Sequence, residues 1–382
     1  MKILFSNIHY LPKMGGVETY IKNIAKELVG LGHEVSVVCY HYDNSLPEKE
    51  NIDGVNIIRI LKNQQYPGTY KEENQIIVPI INEVIEKNNI DIYIAGRITL
   101  IGDHNVKTVC IPPTILSLYE TQRSMKNPNW VWFNDLNDIK AIEKNSLEKS
   151  DLVITLSNFV KKNLVDIYDV SPDKIKVIPP GVEKKNHSPE QLQEIKDKFN
   201  LNNKKIALMV GRLSEEKNPE SLIKAFKHVN SNATLLIVGG EQKKINELKQ
   251  LVKELEIKNE VIFTGWQNAS PFYEIADVYV LPSFSESFGL VLLEAMITGV
   301  PCIAFQPNGK DIRTASEELI TNNENGFLVK DEKEMGEKID LILSNNELRK
   351  QMSENSIKKA KTYNWEDSTK NIVNELTIRG II

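Results

Sequence analysis

The sequence predicts an α/β protein made of two Rossmann-like domains that face each other across a cleft. Apolar runs of strand length alternate with amphipathic helix patterns, which is typical of a parallel sheet covered by helices. This alternation occurs twice along the 382 residues, and a charged, turn-rich run over residues 183–190 separates the two series. We therefore assign residues 1–185 to an N-terminal domain and residues 186–365 to a C-terminal domain.

The first domain opens with a strand–helix–strand unit. A strand is predicted over Lys2–Ser6, a loop ending in Gly15 and Gly16 follows, and a helix pattern runs over Val17–Leu31. The next strand is Glu34–Tyr40. The unit lacks the GxGxxG fingerprint of dinucleotide-binding folds, which argues against a dehydrogenase. Taken alone, the two glycines predict a tight turn and nothing more.

The same alternation continues through both domains. In the first domain we expect strands over Val55–Leu61, Asp91–Ala95, Lys107–Ile111 and Ser150–Ser157, and helices over Gln75–Asn88, Asp138–Lys149 and Asn158–Tyr168. In the second domain we expect strands over Lys205–Val210, Leu235–Gly240, Val261–Trp266, Asp277–Leu281, Cys302–Ala304 and Asn325–Val329, and helices over Glu220–Val229, Lys244–Leu255, Glu332–Ser344 and Leu348–Lys361.

Composition and charge restrict the class of protein. With 41% hydrophobic and 26% charged residues, the chain has the composition of an ordinary globular protein, and its net charge of −5 argues against a nucleic-acid partner. Cys39, Cys110 and Cys302 lie in apolar runs without metal-ligand spacing, so we expect buried thiols in a reducing cytoplasm. The N-terminal apolar segment is too short for a signal peptide, and no run is long enough to span a bilayer.

The segment from Leu281 to Ala304 has the pattern of an anion-binding turn. A polar turn leads to Phe288 and Gly289, and an apolar helix pattern then runs from Leu290 to a glycine end at Gly299. The first N–H groups of a helix have no internal partner and lie at the positive end of its dipole, so a diphosphate could bind there.

Two carboxylates flank this turn. Glu286 precedes the helix, where it could accept hydrogen bonds from sugar hydroxyls, and Glu294 lies about one turn inside it, where it could bind both hydroxyls of a ribose. The alternative is that Glu286 is a solvated loop residue and Glu294 a surface helix residue. The apolar neighbours of Glu294 make it an unusual position for an unpaired charge.

Two cations follow the first strand of the second domain. Arg212 comes directly after the glycine that ends the strand, and Lys217 comes five residues later. Ligands of α/β sheets bind at the carboxyl ends of the strands, and an Arg–Lys pair suits a leaving diphosphate. Cations in a charged loop are otherwise usually exposed to solvent.

The string E-S-F-G-L-V-L-L-E, Glu286 to Glu294, resembles the E-x7-E motif of the retaining glycosyltransferases of family 4, which have the GT-B fold. The run from Gly211 to Asn218 is similar to the G-R-x-x-x-x-K-G/N pattern of the same family. The resemblance covers almost the whole chain and is firmest over residues 205–304. It implies transfer of a sugar from a UDP- or GDP-linked donor to an acceptor hydroxyl with retention of configuration. The sequence has no Asp-x-Asp cluster that would hold a diphosphate through a divalent ion, so we expect no metal or other cofactor.

The resemblance also assigns roles to residues. It implies Arg212, Lys217 and Glu286 as catalytic residues. For the donor it implies Gly15 and Gly16 of the glycine loop, Trp266 and Gln267 near the base, and the group Ser287, Phe288, Gly289, Leu290 and Glu294. It further implies that the last helix, over about residues 366–382, crosses back to the first domain.

One position departs from the family pattern. Many relatives have a His just after the strand that corresponds to Lys107–Ile111, and this chain has Pro112-Pro113 there. His104 precedes the strand, at the end where it would not reach the donor. The contact to the donor sugar is therefore expected to differ.

The sequence does not identify the acceptor. The aromatic-rich stretch 118–136, with Arg123 and Trp130, could form an acceptor wall, a packed insertion or a membrane-contact surface. The first 185 residues carry a net charge of −1, so a lipid-linked acceptor and a peripheral position at the inner face of the membrane follow from the family alone. The alternatives to a transferase are a nucleotide-sugar epimerase and a non-catalytic nucleotide-sugar-binding subunit.

Overall fold

The structure is a computed structural model that describes residues 1–64, 66–126 and 136–382, with residues 122–126 described by their backbone alone. The chain packs into two compact units: Met1–Gly181 together with Trp365–Ile382, and Val182–Asn364. Each is an α/β unit with a mainly parallel sheet, as the sequence predicts. Trp130, and with it most of the predicted aromatic wall, lies outside the described residues.

Among the described residues, the first unit contains one sheet of eight strands. The strands are β1 Lys2–Ser6, β2 Glu34–Tyr40, β3 Lys49–Ile52, β4 Val55–Ile60, β5 Ile92–Ala95, β6 Lys107–Cys110, β7 Leu152–Thr155 and β8 Ile175–Val177. The helices before the second unit are α1 Gly16–Gly30, α2 Tyr70–Asn88, α3 Leu116–Lys126, α4 Leu136–Lys149 and α5 Asn158–Tyr168.

The order of the strands in this sheet is β3-β4-β2-β1-β5-β6-β7-β8. All neighbours pair in parallel except β3 and β4, which form an antiparallel hairpin at the edge. We did not predict β3. Its turn is Asp53-Gly54, with both residues at positive φ (53° and 83°), and Asp-Gly directly before the apolar run Val55–Ile60 is a hairpin signal that the sequence does contain.

Helix ends in this unit follow local capping. α2 begins five residues before the predicted Gln75, because the Thr69 side chain and Glu72 form a reciprocal capping box at its start. α1 buries one face, made of Tyr20, Ile21, Ile24, Ala25 and Leu28, as the helical spacing predicts.

The second unit has a six-stranded parallel sheet and a separate two-stranded one among the described residues. Its strands are β9 Lys205–Val210, β10 Ala233–Val238, β11 Glu260–Gly265, β12 Val278–Leu281, β13 Ser285–Glu286, β14 Cys302–Phe305, β15 Arg313–Thr314 and β16 Gly326–Val329. Its helices are α6 Pro189–Lys198, α7 Pro219–Phe226, α8 Gln242–Glu254, α9 Ser270–Ile275, α10 Leu290–Ile297, α11 Ser316–Leu319, α12 Glu332–Ser344 and α13 Asn346–Ala360.

The larger sheet has the order β11-β10-β9-β12-β14-β16. A core of strand residues such as Leu235 and Ile303 is covered by apolar faces of α7 and α12. The smaller sheet pairs β13 with β15, so the segment after Phe305 supports the strand that carries Glu286. We did not predict α6; its start is a capping box between Ser188 and Gln191 with Pro189 in the first turn.

The chain ends in α14, Trp365–Ile378, which belongs to the first unit. The Trp365 ring meets the Tyr20 ring of α1 edge to face at 5.9 Å, and the Ser368 hydroxyl donates to the Pro179 carbonyl at 2.7 Å. The three cysteines are free and buried, as expected. In the parts of the chain that the structure describes, no helix combines the length and apolar character that crossing a membrane requires.

Candidate functional site

The site in the second unit lies at the topological switch point of its sheet, where the order of strand addition reverses. From β9 the chain runs through β10 and β11 to one side, and it then returns to place β12 on the other side of β9. The loops that leave the carboxyl ends of β9 and β12 therefore run to opposite sides. They leave a crevice between them, which is where ligands of such sheets bind. Arg212 and Lys217 follow β9, and Glu286 follows β12.

Glycines allow the loops at this edge to pack closely. Gly239 follows β10 with φ 117°, and a Cβ atom added there would lie 2.2 Å from the Gly211 carbonyl oxygen. Gly240, with φ 85°, would place a Cβ atom 2.3 Å from Leu213 Cδ1. A larger residue at either position would push the Arg212 loop away from the sheet.

The N-terminus of α10 is open in the way that anion binding requires. Gly289, its N-cap, has φ 93°, makes no side-chain cap and is followed by no acidic residue in the first turn. The Leu292 N–H donates to the Gly289 carbonyl at 2.8 Å, and among the described residues the N–H groups of Leu290 and Val291 have no acceptor. These two donors lie at the positive end of the helix dipole.

Lys217 and Glu286 form an ion pair beside this helix. The Lys217 ammonium donates to Glu286 Oε2, and the side chains are 19% and 16% exposed. The Ala315 N–H donates to the Glu286 carbonyl at 3.0 Å through the β13–β15 pairing, so the backbone that carries the carboxylate is fixed. A mostly buried cation and a mostly buried carboxylate are thereby in contact.

Arg212 is held by a residue that the sequence reasoning missed. Its Nη2 lies 3.2 Å from Glu216 Oε1, which also accepts the Ser214 hydroxyl at 2.6 Å. The Glu216 side chain is 3% exposed, whereas that of Arg212 is 65% exposed. Within the described residues, Glu216 Oε2 is buried without a hydrogen-bond partner, so this carboxylate depends on Arg212 for its charge compensation. The signal available in the sequence was the i, i+4 spacing of Arg212 and Glu216.

Glu294 also has a partner that its sequence neighbours do not reveal. The buried Tyr273 hydroxyl donates to Glu294 Oε2 at 2.8 Å. Burial raises the pKa of Glu294, while the Tyr273 hydrogen bond and the charge of Lys185 act in the opposite direction.

The other predicted donor residues have varied environments. Trp266 directly follows β11 and is 60% exposed, and Gln267 Nε2 donates to the Thr264 carbonyl at 3.3 Å. Phe288 is buried with its ring 6.0 Å from that of Tyr363, and Ser287 is half-buried in the same turn.

Some sequence-predicted residues lie outside this unit. Gly15 and Gly16 belong to the first unit, where Gly15 is the N-cap of α1 and Gly16 its first residue. His104 is also in the first unit; its Nδ1 lies 2.6 Å from Asn82 Oδ1, and burial lowers its pKa to about 4. Its contacts are those of a packed structural residue. Among the described residues, no three His, Cys, Asp or Glu side chains are grouped as a metal site would require.

Two family descriptions match this chain. The model for glycosyl transferases group 1 matches residues 191–359, and the model for glycosyltransferase family 4 matches residues 14–185. An uncharacterized glycosyltransferase of Methanocaldococcus jannaschii is 30% identical over 98% of this chain and 97% of its own length. The chain belongs to the group 1 glycosyltransferases of family 4.

Other similarities place this glycosyltransferase among relatives of the same length. Spore coat protein SA of Bacillus subtilis is 24% identical over 98% of both chains. The structure of sucrose-phosphate synthase from Thermosynechococcus elongatus superposes with a TM-score of 0.82 over 98% of both chains at 21% identity. Anabaena HepE in complex with UDP-glucose superposes with a TM-score of 0.78 over 99% of both chains at 20% identity. The structural similarities confirm the GT-B class of fold.

Proposed function

We propose that this glycosyltransferase moves a sugar from a UDP- or GDP-linked donor to an acceptor hydroxyl with retention of configuration and without a metal. The observation that carries the proposal is the open N-terminus of α10 beside the Lys217–Glu286 pair. Exposed N–H groups, a helix dipole and a mostly buried ammonium together favour a diphosphate. We favour a UDP-linked donor over a GDP-linked one, since the structure of Anabaena HepE holds UDP-glucose.

The proposed chemistry has few steps. The bond between the anomeric carbon and the diphosphate oxygen breaks, and the negative charge grows on that oxygen. Lys217, Arg212 and the α10 N-terminus stabilise this charge. The acceptor oxygen then bonds to the anomeric carbon on the face that the leaving group has left, and the acceptor proton passes to the leaving phosphate. Glu286 accepts hydrogen bonds from sugar hydroxyls, and Glu294 binds the ribose.

We propose an acceptor of the cell envelope, either a polysaccharide or a glycolipid. Two relatives support this class. One is an Escherichia coli galactosyltransferase that uses UDP-Gal and a diphosphoundecaprenol-linked GlcNAc, and it is 32% identical over 46% of this chain. The other is an alpha-monoglucosyldiacylglycerol synthase of Streptococcus pneumoniae, 27% identical over 77% of this chain. Peripheral contact with a membrane is part of this proposal.

The test is a panel of UDP- and GDP-sugars, each incubated with and without simple acceptors. A transferase releases the nucleoside diphosphate faster with an acceptor and forms a new glycosidic bond. An epimerase would convert the donor sugar without an acceptor, and a binding subunit would leave every donor intact. NMR of the product then gives the anomeric configuration, and an inverted centre would rule out the retaining mechanism.

A further inference from the structure

The sheet of the first unit also has a topological switch point, where the order of strand addition reverses. From β1 the chain runs through β2 and β4 to one side, and it then places β5 on the other side of β1. Ile3 of β1 pairs with Val35 of β2 and with Ile92 of β5, all in parallel, so the carboxyl ends of these strands share one edge. The crevice at this edge is a ligand position by the same topological rule.

Arg97, the second residue after β5, is held rigidly at this edge. Its Nε donates to Glu73 Oε2 at 3.0 Å and to the Thr99 hydroxyl at 2.9 Å, and its guanidinium carbon lies 5.0 Å from the centre of the Tyr70 ring. The side chain is 23% exposed. Neither of its two Nη groups has an acceptor among the described residues, so up to four N–H donors remain for a ligand.

Lys13 places a second cation at this edge, in the loop that follows β1. Its ammonium lies 3.1 Å from His9 Nε2 and 5.5 Å from the centre of the Tyr42 ring, and no described carboxylate pairs with it. Burial and the charges of Lys13 and Arg97 lower the pKa of His9 to about 4. His9 is therefore neutral near pH 7 while both cations act on it.

The carboxylates of Glu73 and Glu18 at this edge already have hydrogen-bond donors within the first unit. The buried Glu73 accepts from Arg97, from the Thr99 hydroxyl and from the Tyr40 hydroxyl at 2.9 Å. Glu18 accepts from the Asn7 side-chain amide at 2.8 Å.

An aromatic pair is connected to Arg97 through Glu73, which accepts from the Tyr40 hydroxyl and pairs with Arg97. The Tyr66 ring stacks on Tyr40 with 5.3 Å between centroids and an interplanar angle of 12°, and Tyr66 is 39% exposed. An exposed aromatic face of this kind suits the apolar face of a sugar ring.

From these contacts we infer that the first unit binds an acceptor that carries an oxyanion, a phosphate ester, with Arg97 and Lys13 on the phosphate and the Tyr66 face on the adjoining sugar or headgroup. The inference rests on the proposed function, because it names the class of acceptor. Arg97 supplies the planar pair of donors that phosphate oxygens accept, and Lys13 supplies a mobile charge.

The experiment measures binding by isothermal titration calorimetry with the full chain and saturating UDP, so that the anion site of the second unit is filled. The probes are glucose 6-phosphate and, as its neutral match, glucose. We expect wild type to bind the phosphate ester at least about tenfold more tightly than glucose. Lys13→Gln should remove a large part of this preference. Lys107→Gln should keep the preference, because it deletes an equal charge at the amino end of β6, on the opposite edge of the sheet.

Arg97 needs a paired substitution, because removing it alone would leave Glu73 buried without a counter-charge. The double variant Arg97→Gln with Glu73→Gln should fold, as circular dichroism would show, and should lose the preference for the phosphate ester. Co-sedimentation with phosphatidylglycerol vesicles, compared with phosphatidylcholine vesicles whose phosphate charge is compensated by choline, reports whether the phosphate of an anionic lipid serves as the oxyanion.

The outcomes separate the two proposals. The inference is overturned if neither glucose 6-phosphate nor phosphatidylglycerol binds better than its neutral or zwitterionic match, or if the preference survives in both Lys13→Gln and the double variant. Absence of UDP binding to wild type would instead count against the proposed function. In that case, loss of the preference for glucose 6-phosphate in Lys13→Gln and in the double variant would still support the oxyanion site.

Discussion

The Lys217 ammonium and the Glu286 carboxylate form an ion pair although 69 positions of the chain separate them, and both side chains are more than four-fifths buried. The two residues follow β9 and β12, neighbouring strands at the point where the sheet changes direction. A cation in this position is already desolvated and neutralised, so an arriving diphosphate competes with Glu286 for it and does not have to order a mobile side chain.

Replacing Lys217 with Ala should lower kcat by about 10²–10³-fold, because the charge that grows on the leaving oxygen loses a preorganised cation. Transfer kinetics with the best donor of the panel provide the measurement. Lys224→Ala is the matched control, since Lys224 is an exposed residue of α7, and it should retain wild-type rates. An unchanged kcat in Lys217→Ala would contradict this role.

Glu216 should act through Arg212. Arg212→Ala and Glu216→Gln are each expected to lower kcat/KM by roughly tenfold, and the double variant should be no slower than Arg212→Ala, because the carboxylate serves to orient the guanidinium. A double-mutant cycle measured on kcat/KM checks this. Additive losses would show that Glu216 has a separate function.

Glu294→Gln should stabilise the fold while weakening donor binding. The pKa of Glu294 is raised in the folded protein, so the folded state keeps a proton that the unfolded state loses as pH rises above the ordinary value. The carboxylate therefore reduces stability above that pH, and the variant should be more stable than wild type at pH 7, with a smaller gain near pH 4.

Urea unfolding at several pH values measures this difference, with Glu354→Gln, an exposed residue of α13, as the control. A gain that does not grow between pH 4 and pH 7 would contradict the raised pKa. In the same variant the KM for the donor should increase, because an amide accepts the two ribose hydroxyls less well than a carboxylate does.

Gly289→Ala should impair both the fold and the site. Gly289 has φ 93°, and an added Cβ atom would lie 3.2 Å from Leu292 Cδ1. We expect a loss of about 1–2 kcal/mol and a higher KM for the donor, as the first turn of α10 shifts. Gly30→Ala is the control, because a Cβ atom there meets no atom within 4 Å. Equal thermal stability of the two variants would show that the left-handed conformation at Gly289 is not needed.

The strands and long helices could be predicted because their signals are local. Lys2–Ser6, Lys205–Val210 and Asn158–Tyr168 are found at their predicted bounds, since each is a continuous apolar run or a helical stripe between clear turn residues. β3 and α6 were missed even though the Asp53-Gly54 turn and the Ser188 capping box are present in the sequence. Those signals are short and become convincing when the adjoining element is seen to pack.

The contacts within the candidate site could not be predicted. The apolar neighbours of Glu294 indicate an unusual position for an unpaired charge, but they do not identify the Tyr273 hydroxyl as its partner. Glu216 attracted no attention because a second Glu in a charged loop is ordinarily solvated, and its burial follows from the packing of the loops after β9 and β12. Sequence spacing identifies residues at the edge of a sheet, whereas their partners depend on tertiary packing.

A crystal structure with UDP tests most directly where the nucleoside diphosphate binds. We predict that the β-phosphate lies at the N-terminus of α10, within hydrogen-bond distance of the Leu290 or Val291 N–H, with Lys217 in contact with the diphosphate and Glu294 in contact with the ribose. Density for UDP at a different edge of the second unit, or a diphosphate that touches neither Lys217 nor α10, would contradict the account.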